Sequence, residues 1–343
     1  MRVLFVGLGS AGQRHLRNLK MLLDDKLEVL AYRVRRYSRT FNNELQVIPG
    51  KDVNTEYNIK VFYDLEEALL EEPEFAVIAN PNSMHVETAK IIAQHGIDLF
   101  IEKPLGITMN GVEELQKIIY DNNLCAFVGF QMHYHPCIKK IKKMIYNHEL
   151  GKILHVDVDM GELLSRMHSY EDYRGMCESK NAMGGGVVLS QIHEIDYIYH
   201  IFGLPECVFS VGGKSSDLEI DVEDHATTLC KYRWQGEEFP IVIHQDFLQY
   251  PATRKCKIVG TLGRIELNLL DGTLDVIMSD TEHLLCEFKE FQRNDMFLEE
   301  MKQFLKAREG DKKADISIED AKGSLQLALA IKESMSKSEM IYL

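Results

Sequence analysis

A glycine-rich turn at the start of the chain constrains the fold most strongly. Four apolar residues, 3–6, lead directly into the pattern G-x-G-x-x-G. Gly7 permits a tight turn, Gly9 leaves room for a pyrophosphate to approach the backbone, and Gly12 lets a helix pack against the strand. Leucines at helical spacing follow, and a second apolar run spans residues 27–32, so we predict a dinucleotide-binding strand, turn and helix. The residues expected to contact the dinucleotide here are Gly7, Gly9, Ser10, Ala11 and Gly12.

Size and charge narrow the class of ligand. A chain of 343 residues exceeds one ordinary domain and predicts two. Its formal net charge of -14 repels nucleic-acid phosphates and anionic lipid, so a small molecule is the expected partner.

Met1 leads straight into the first strand, and no run approaches the roughly eighteen apolar residues of a membrane span, so we expect a cytoplasmic protein. The seven cysteines lack C-x-x-C or metal-ligand spacing, which predicts a reducing compartment and no metal site.

The hydrophobic pattern changes near residue 129. Before it, short apolar runs alternate with helical spacing, which predicts a parallel, doubly wound sheet. The polar stretch 33–60 within this part is predicted to be a long loop or a weak helix. After it, strand-like runs succeed one another with few helical interruptions, which predicts an open, largely antiparallel sheet in a second α/β domain. We therefore predict domains at residues 1–128 and 129–343.

A possible reactive group follows the predicted strand 99–101. There, Glu102, Lys103 and Pro104 stand at the mouth of the sheet. A lysine that is partly desolvated beside a carboxylate can exchange a proton near neutral pH. The alternative is a solvent-facing pair of Glu102 and Lys103 with no chemical role.

Several short motifs, in order along the chain, share one resemblance. They are the glycine turn, Asn80-Pro81 with His85, Glu102-Lys103-Pro104, GFQ at 129–131 before His135-Pro136, YEDYR at 170–174, GGGVVLSQIHEID at 184–196, and Gln245-Asp246 with Arg254 and GTLG at 260–263. This set resembles the Gfo/Idh/MocA family of NAD(P)-dependent oxidoreductases, in particular its sugar-modifying branches. The resemblance implies a Rossmann domain followed by an α/β domain whose open sheet joins a homo-oligomer, a dimer or tetramer. It also implies hydride transfer between nicotinamide C4 and a carbinol or keto carbon of a sugar, nucleotide sugar or polyol.

The same resemblance implies roles for single residues. Lys103 matches the lysine that contacts the nicotinamide ribose and the substrate hydroxyl, and His193 matches the acid/base histidine, whose imidazole titrates in a suitable range. Besides the glycine turn, the residues expected to contact the coenzyme are Asn80, Pro81, His85, Glu102 and Lys103. The residues expected to contact the substrate are Tyr173, Arg174, Ser190, His193 and Asp246.

The chain departs from the family pattern at two positions. Ser190 stands where many members carry an aspartate, and a serine hydroxyl cannot act as a carboxylate base. His133 stands where the family often has arginine. Asp196 lies on the same helical face as His193, where it either orients that imidazole or pairs structurally.

The residues after the second strand bear on the choice of coenzyme. Arg33, Arg35 and Arg36 stand where enzymes that prefer NAD usually place a carboxylate. Guanidinium groups suit a 2′-phosphate, so NADP(H) is favoured and NAD(H) remains the second possibility. The alternative is a solvated basic loop on an acidic protein.

Two other functions fit the same motifs. One is a dinucleotide-binding sensor or scaffold that has lost catalysis, an alternative that Ser190 keeps open. The other is an epimerase or eliminase in which tightly bound NAD oxidises the substrate transiently. A sensor would bind the coenzyme and turn over no substrate. An epimerase or eliminase would convert its substrate with no net redox change.

Overall fold

Two compact units make up the protein, whose computed structural model describes residues 1–34, 39–42, 46–168, 170–280 and 283–343. The first unit comprises residues 1–130, 168–171 and 297–322. The second comprises residues 131–167, 172–296 and 323–343. The predicted domain boundary between residues 128 and 129 stays a prediction.

A parallel sheet with helices forms the first unit. Its strands are β1 (Arg2–Val6), β2 (Glu28–Tyr32), β3 (Arg39–Phe41), β4 (Val47–Asp52), β5 (Lys60–Phe62), β6 (Phe75–Ile78), β7 (Asp98–Glu102) and β8 (Ala126–Gly129). Its helices are α1 (Ser10–Leu23), α2 (Val53–Glu56), α3 (Leu65–Leu69), α4 (His85–Gln94) and α5 (Val112–Asp121). In the described part of the chain, six strands pair in the order β5-β2-β1-β6-β7-β8, all parallel. The predicted doubly wound parallel sheet is confirmed.

Local sequence explains these elements. Every residue of β6 and β8 is buried, as expected for a parallel sheet covered on both faces. The predicted helix over residues 85–94 matches α4, and Gly96 after it has a φ of +76°, the left-handed conformation expected of its position. Helix α3 begins where the Asp64 carboxylate accepts hydrogen bonds from two backbone N–H groups of the first turn.

The prediction of a long loop or a weak helix over residues 33–60 is wrong for the described residues between 39 and 52. Strands β3 and β4 form an antiparallel hairpin there, and the short helix α2 follows. The hairpin contains two buried side chains, Thr40 and Phe41, in a segment that otherwise reads as polar. A three-residue strand such as β3 is too short to give a periodic signal in the sequence.

A mixed sheet forms the second unit. Its helices are α6 (Pro136–Tyr146), α7 (Leu164–Met167), α8 (Val187–Ser190) and α9 (Ile192–Phe202). Its strands are β9 (Ile153–Gly161), β10 (Cys207–Gly213), β11 (His225–Trp234), β12 (Glu237–Asp246), β13 (Thr253–Gly260), β14 (Gly263–Asn268), β15 (Thr273–Met278), β16 (His283–Glu287) and β17 (Ile341–Tyr342). Two long helices, α10 (Arg293–Glu309) and α11 (Ile318–Lys337), precede β17.

The described strands of this sheet pair in the order β16-β15-β14-β13-β9-β12-β11-β10-β17. Only β9 and β12 run parallel among these described pairs, so the predicted open, largely antiparallel sheet is confirmed. Buried and exposed residues alternate along β11 because one face of the sheet is covered. The sequence did not predict β15, β16 or β17.

The core of the first unit includes part of the last quarter of the chain. Phe304 of α10 packs edge-to-face against Phe75, Phe100 and Phe127, with ring centroids 5.1, 5.6 and 6.1 Å away. All four rings are fully buried. Aromatic pairs at these separations add to the stabilisation from burial alone, so α10 is part of this core.

Among the described residues, no helix combines the length and apolar composition needed to cross a bilayer.

Candidate active site

The glycine turn has the geometry that its three glycines predict. Gly7 has a φ of +95°, and a Cβ on it would lie 2.5 Å from the Ala79 carbonyl oxygen. A Cβ on Gly12 would lie 2.3 Å from the Gly7 carbonyl oxygen, so both positions exclude a side chain. A Cβ on Gly9 would meet nothing within 4 Å, which leaves open space beside the start of α1.

The start of α1 suits an anion. Gly9 precedes the helix, Ser10 and Ala11 are its first residues, and its first turn contains no acidic residue. The first backbone N–H groups of a helix have no intrahelical acceptor, and the helix dipole favours negative charge there. The residues predicted to cradle a pyrophosphate are therefore compatible with one.

Gln13 connects this turn to the β3–β4 hairpin. Its side-chain nitrogen donates to the carbonyl oxygens of Leu8, at 3.1 Å, and Arg39, at 2.7 Å, while its oxygen accepts the Phe41 N–H at 2.8 Å. Sequence reasoning missed this residue, because a glutamine in a first helical turn carries no signal about a distant hairpin.

Arg33 lies at the end of β2, as predicted. Its guanidinium donates to the Asn54 side-chain oxygen at 2.9 Å, and only 9% of the residue is exposed. Burial lowers the pKa of Arg33, whereas the charges of Tyr63 and Asp52 act in the opposite direction. Arg35 and Arg36, also predicted to contact the coenzyme, lie outside the described residues.

Glu102 holds the backbone before the candidate catalytic lysine. One Glu102 oxygen lies 2.6 Å from His15 Nε2, and the other accepts the Lys103 backbone N–H at 3.1 Å. Burial raises the pKa of Glu102, but the His15 hydrogen bond and the nearby charges of Lys103 and His85 outweigh it, so the pKa is below its usual value. Glu102 is therefore the carboxylate anchor of this turn.

Asn80 and His85 belong to the neighbouring turn. His85 is 1% exposed, and its two ring nitrogens face the carbonyl oxygens of Asn80 and Pro104. The Asn80 amide donates to Thr88 at 2.9 Å, and Pro81 follows Asn80 directly. The turns with Gly7, Asn80 and Lys103 follow the adjacent strands β1, β6 and β7, so they share the carboxyl edge where doubly wound sheets bind ligands.

His193 lies in the second unit at the start of α9 and is 7% exposed. Its Nε2 lies 3.0 Å from the side-chain nitrogen of Gln131. Ser190 ends α8, directly before this helix. Gln191 ties the junction to β12, because its amide donates to the Asp246 carbonyl and its own carbonyl accepts from Gln245.

Asp196 does not pair with His193 in the described contacts. Its two oxygens contact His133 Nε2 at 2.8 Å and the Ser324 hydroxyl at 2.7 Å. Of the two roles left open by the sequence, structural pairing matches these contacts. His133 therefore contacts the Asp196 carboxylate from a position where the family often has arginine.

The remaining predicted substrate residues have other described contacts. The Asp246 carboxylate accepts from His244, Gln249 and two backbone N–H groups. Burial raises the pKa of Asp246, but these bonds outweigh it and the pKa is lowered. Arg174, at the surface, pairs with Asp172 and Glu219, and the Tyr173 hydroxyl accepts the Glu219 N–H.

A second buried ion pair lies next to His193 in sequence. Arg254 Nε donates to Glu194 at 2.6 Å, and the Glu194 side chain is 1% exposed. The sequence suggested Arg254 only as part of a motif and did not predict its partner. Among the described residues, no group of three or more histidines, cysteines or acidic residues is placed to hold a metal ion.

Comparison with known proteins shows which family models and which proteins this chain resembles. A family model described as "Oxidoreductase family, NAD-binding Rossmann fold" matches residues 1–130, and one described as "GFO/IDH/MocA C-terminal domain" matches residues 138–266. Myo-inositol 2-dehydrogenase of Thermotoga maritima is 25% identical to this chain, and the similarity covers 100% of this chain and 98% of that protein. A 2,7-anhydro-N-acetylneuraminate hydratase of Mediterraneibacter gnavus is 23% identical, and the similarity covers 70% of this chain and 62% of that protein. The structure of levoglucosan dehydrogenase in complex with NADH and levoglucosan has a TM-score of 0.80 at 18% identity, and the similarity covers 100% of this chain and 99% of that chain.

Proposed function

Because the chain belongs to the GFO/IDH/MocA family of oxidoreductases, we propose that it transfers a hydride between a nicotinamide coenzyme and a carbinol or keto carbon of a sugar or polyol. The observation that most supports this is the shared edge of β1, β6 and β7. An open glycine turn and an anchored lysine both follow strands at this edge.

The first unit supplies the coenzyme site in this proposal. The turn from Gly7 to Gly12 and the first N–H groups of α1 hold the pyrophosphate, and the turns with Asn80 and Lys103 flank the nicotinamide half. When bound, the coenzyme accepts or donates the hydride. The open space at Gly9 is the feature of this chain that fits such a group.

Lys103 and His193 move the proton. Oxidising an alcohol removes a hydride from carbon and a proton from the hydroxyl, so a base must lie within hydrogen-bond reach of that oxygen. We assign this task to Lys103 with His193 as its partner. Lys103 belongs to the first unit and His193 to the second.

Ser190 is one proposed substrate contact. It precedes His193 by three residues, and its hydroxyl can donate to and accept from a sugar hydroxyl. Tyr173, Arg174 and Asp246 are the other proposed contacts, and a substrate would compete there with their present partners. Relatives named for myo-inositol and levoglucosan point to a cyclic polyol or sugar as substrate.

NADP(H) is the favoured coenzyme in this proposal. Arg33 occupies the end of β2, where NAD-specific enzymes usually carry a carboxylate. The test compares the Kd of NADPH and NADH for the wild type and Arg33→Asp. We expect the substitution to weaken NADPH binding selectively, and equal effects on both coenzymes would contradict the assignment.

Turnover tests the proposed reaction. Purified protein is mixed with NAD⁺ or NADP⁺ and a panel of free sugars, nucleotide sugars and inositols, and the reduced nicotinamide is followed by absorbance. Lys103→Met should lower kcat by about 10²- to 10⁴-fold, because it removes acid–base catalysis. Lys117→Met, at an exposed position of α5, is the matched control. Calorimetry that detects no affinity for either coenzyme would refute the proposal.

A second candidate reaction is elimination or epimerisation assisted by transient oxidation. The relative named as a hydratase favours it. Coenzyme that copurifies in the oxidised form, with substrate consumed and no net reduced nicotinamide, would support this reaction over net dehydrogenation.

We also propose that the exposed face of the second sheet joins subunits into a dimer or tetramer. Phe209 pairs with Leu229 across β10 and β11, and Val211 lies on the same face. These apolar side chains are 38%, 52% and 62% exposed, respectively. Sedimentation of wild type and Leu229→Glu tests this, because the charge should dissociate the oligomer.

A further inference from the structure

His85 has an unusual hydrogen-bond environment. It opens helix α4 and is 1% exposed. Its Nδ1 lies 2.7 Å from the Pro104 carbonyl oxygen, and its Nε2 lies 2.9 Å from the Asn80 carbonyl oxygen. Both distances are those of good hydrogen bonds.

Carbonyl oxygens only accept hydrogen bonds, so a ring nitrogen must carry a proton to bond the oxygen that it faces. A neutral imidazole carries one N–H and donates to one of the two carbonyls, whereas an imidazolium would donate to both. Burial lowers the pKa of His85 and Lys103 also disfavours the charged form, although the two carbonyls and the nearby Glu102 carboxylate favour it. The neutral ring, which donates one hydrogen bond, is therefore the form expected near pH 7.

The two carbonyls belong to the turns that flank the proposed nicotinamide site. Asn80 follows β6 and Pro104 follows β7, and these strands pair in parallel register. His85 therefore joins two turns at the carboxyl edge of the sheet. A coenzyme atom would have to displace one of these carbonyls to reach the ring nitrogens.

Lys103 is held from both sides by buried histidines. Before it, His15 binds Glu102, whose other oxygen accepts the Lys103 N–H. After it, His85 faces the carbonyl of Pro104. The backbone of Lys103 thus has an anchor on each flank, although the two histidines come from different helices, α1 and α4.

We propose that His85 is a positioning residue, whose buried ring donates to one of the two carbonyls, packs against the other, and so clamps the Asn80 turn to the Pro104 turn and aims Lys103. Its effect on catalysis rests on the proposed function, but its hydrogen bond does not. The clamp, not contact with the coenzyme, is its role.

Nitrogen NMR of the full-length protein tests the buried hydrogen bond directly. Spectra of ¹⁵N-histidine-labelled wild type at pH 7 are compared with those of His85→Gln, which identifies the His85 signals. We expect a ring N–H of His85 that exchanges slowly with solvent, because it is buried against a carbonyl. A ring N–H that exchanges as fast as that of an exposed histidine overturns the proposal, whether or not the protein turns over any polyol.

Kinetics test the clamp. Because small misplacement of a catalytic group can cost up to about 10²-fold, His85→Leu should lower kcat by about 10- to 100-fold with little change in coenzyme Kd. His85→Gln, whose amide can still donate to a carbonyl, should retain more activity than His85→Leu. His95→Gln, at an exposed position just after α4, is the control.

Two kinetic results contradict the clamp. An unchanged kcat in both His85 variants shows that the turns hold Lys103 without it. A coenzyme Kd that rises in proportion to the lost activity shows that His85 contacts the coenzyme. If His85→Leu does not fold, His85→Gln and the NMR experiment still decide. A wild type that binds coenzyme but turns over no substrate refutes the proposed function alone.

Discussion

Glu300 gives the sharpest prediction about stability. This residue of α10 is 0% exposed, and neither of its carboxyl oxygens has a hydrogen-bond partner among the described residues. Burial raises the pKa of Glu300 well above its usual value, the Glu102 carboxylate acts in the same direction, and Arg14 opposes both. The folded protein should therefore keep the Glu300 proton to a higher pH than the unfolded chain does.

The sign of the pH effect follows from proton binding. In the unfolded chain a glutamate loses its proton near pH 4.3, whereas folded Glu300 keeps it to a higher pH. Between these two pKa values the folded state binds one more proton, so the free energy of unfolding falls by about 1.4 kcal/mol for each pH unit. Below the unfolded pKa this loss is absent, and above the folded pKa it is complete.

The substitution Glu300→Gln removes this titration and keeps the shape of the side chain. Between the unfolded and folded pKa values, the stability of the variant relative to wild type should rise by about 1.4 kcal/mol for each pH unit. Urea unfolding at pH 5, 6 and 7 measures this difference. If the buried amide lowers the free energy of unfolding by a constant amount, the three stability differences shift equally and their slope with pH stays the same.

Glu309→Gln is the matched control, because Glu309 is exposed on the same helix. Its stability relative to wild type should change little with pH. If the Glu300→Gln difference is equally flat, Glu300 is ionised in the folded protein and the reasoning from burial is refuted.

Two further predictions concern the glycine turn and the second buried ion pair. Gly12→Ala places a Cβ 2.3 Å from the Gly7 carbonyl oxygen and should destabilise the fold, whereas Gly9→Ala, with nothing within 4 Å, should leave the melting temperature unchanged and weaken coenzyme binding. Thermal unfolding measures the stability of the two variants, and calorimetry measures their coenzyme binding. An equal loss of stability in both variants would contradict the geometry. Arg254→Leu leaves the buried Glu194 carboxylate without its partner and should cost about 3 to 5 kcal/mol in urea unfolding. Adding Glu194→Leu should recover much of that loss, and a single-variant cost below about 1 kcal/mol would show that the pair is well solvated.

The elements that the sequence predicted best are those with a local cause. Residues 85–94 form a helix with the predicted limits because apolar periodicity and the following glycine are both local signals. The hairpin of β3 and β4 was missed because Gln13 and Arg17 of α1 hydrogen-bond its backbone. Such contacts leave no periodic trace in residues 39–52.

In the candidate site, too, the sequence identified some residues but not the distant groups that they contact. The motifs identified Lys103 and His193, but nothing near Arg174 in the sequence indicates that Glu219 would pair with it. Likewise, Asp196 has the helical spacing of a partner for His193, yet its oxygens contact His133 and Ser324. Spacing along a helix restricts which face a residue occupies and leaves open which distant group meets it.

The sequence by itself determined that a parallel sheet begins this protein with a turn open to a dinucleotide, and that a mostly antiparallel sheet follows. These conclusions depend on apolar periodicity and on the conformational freedom of glycine, which neighbouring residues specify. Only the tertiary structure decided that His85 lies between two carbonyl oxygens and that Glu300 is buried with no hydrogen-bond partner in the described part of the chain. The protonation of a buried polar group depends on the atoms that folding brings within hydrogen-bond reach, and those atoms come from distant parts of the chain.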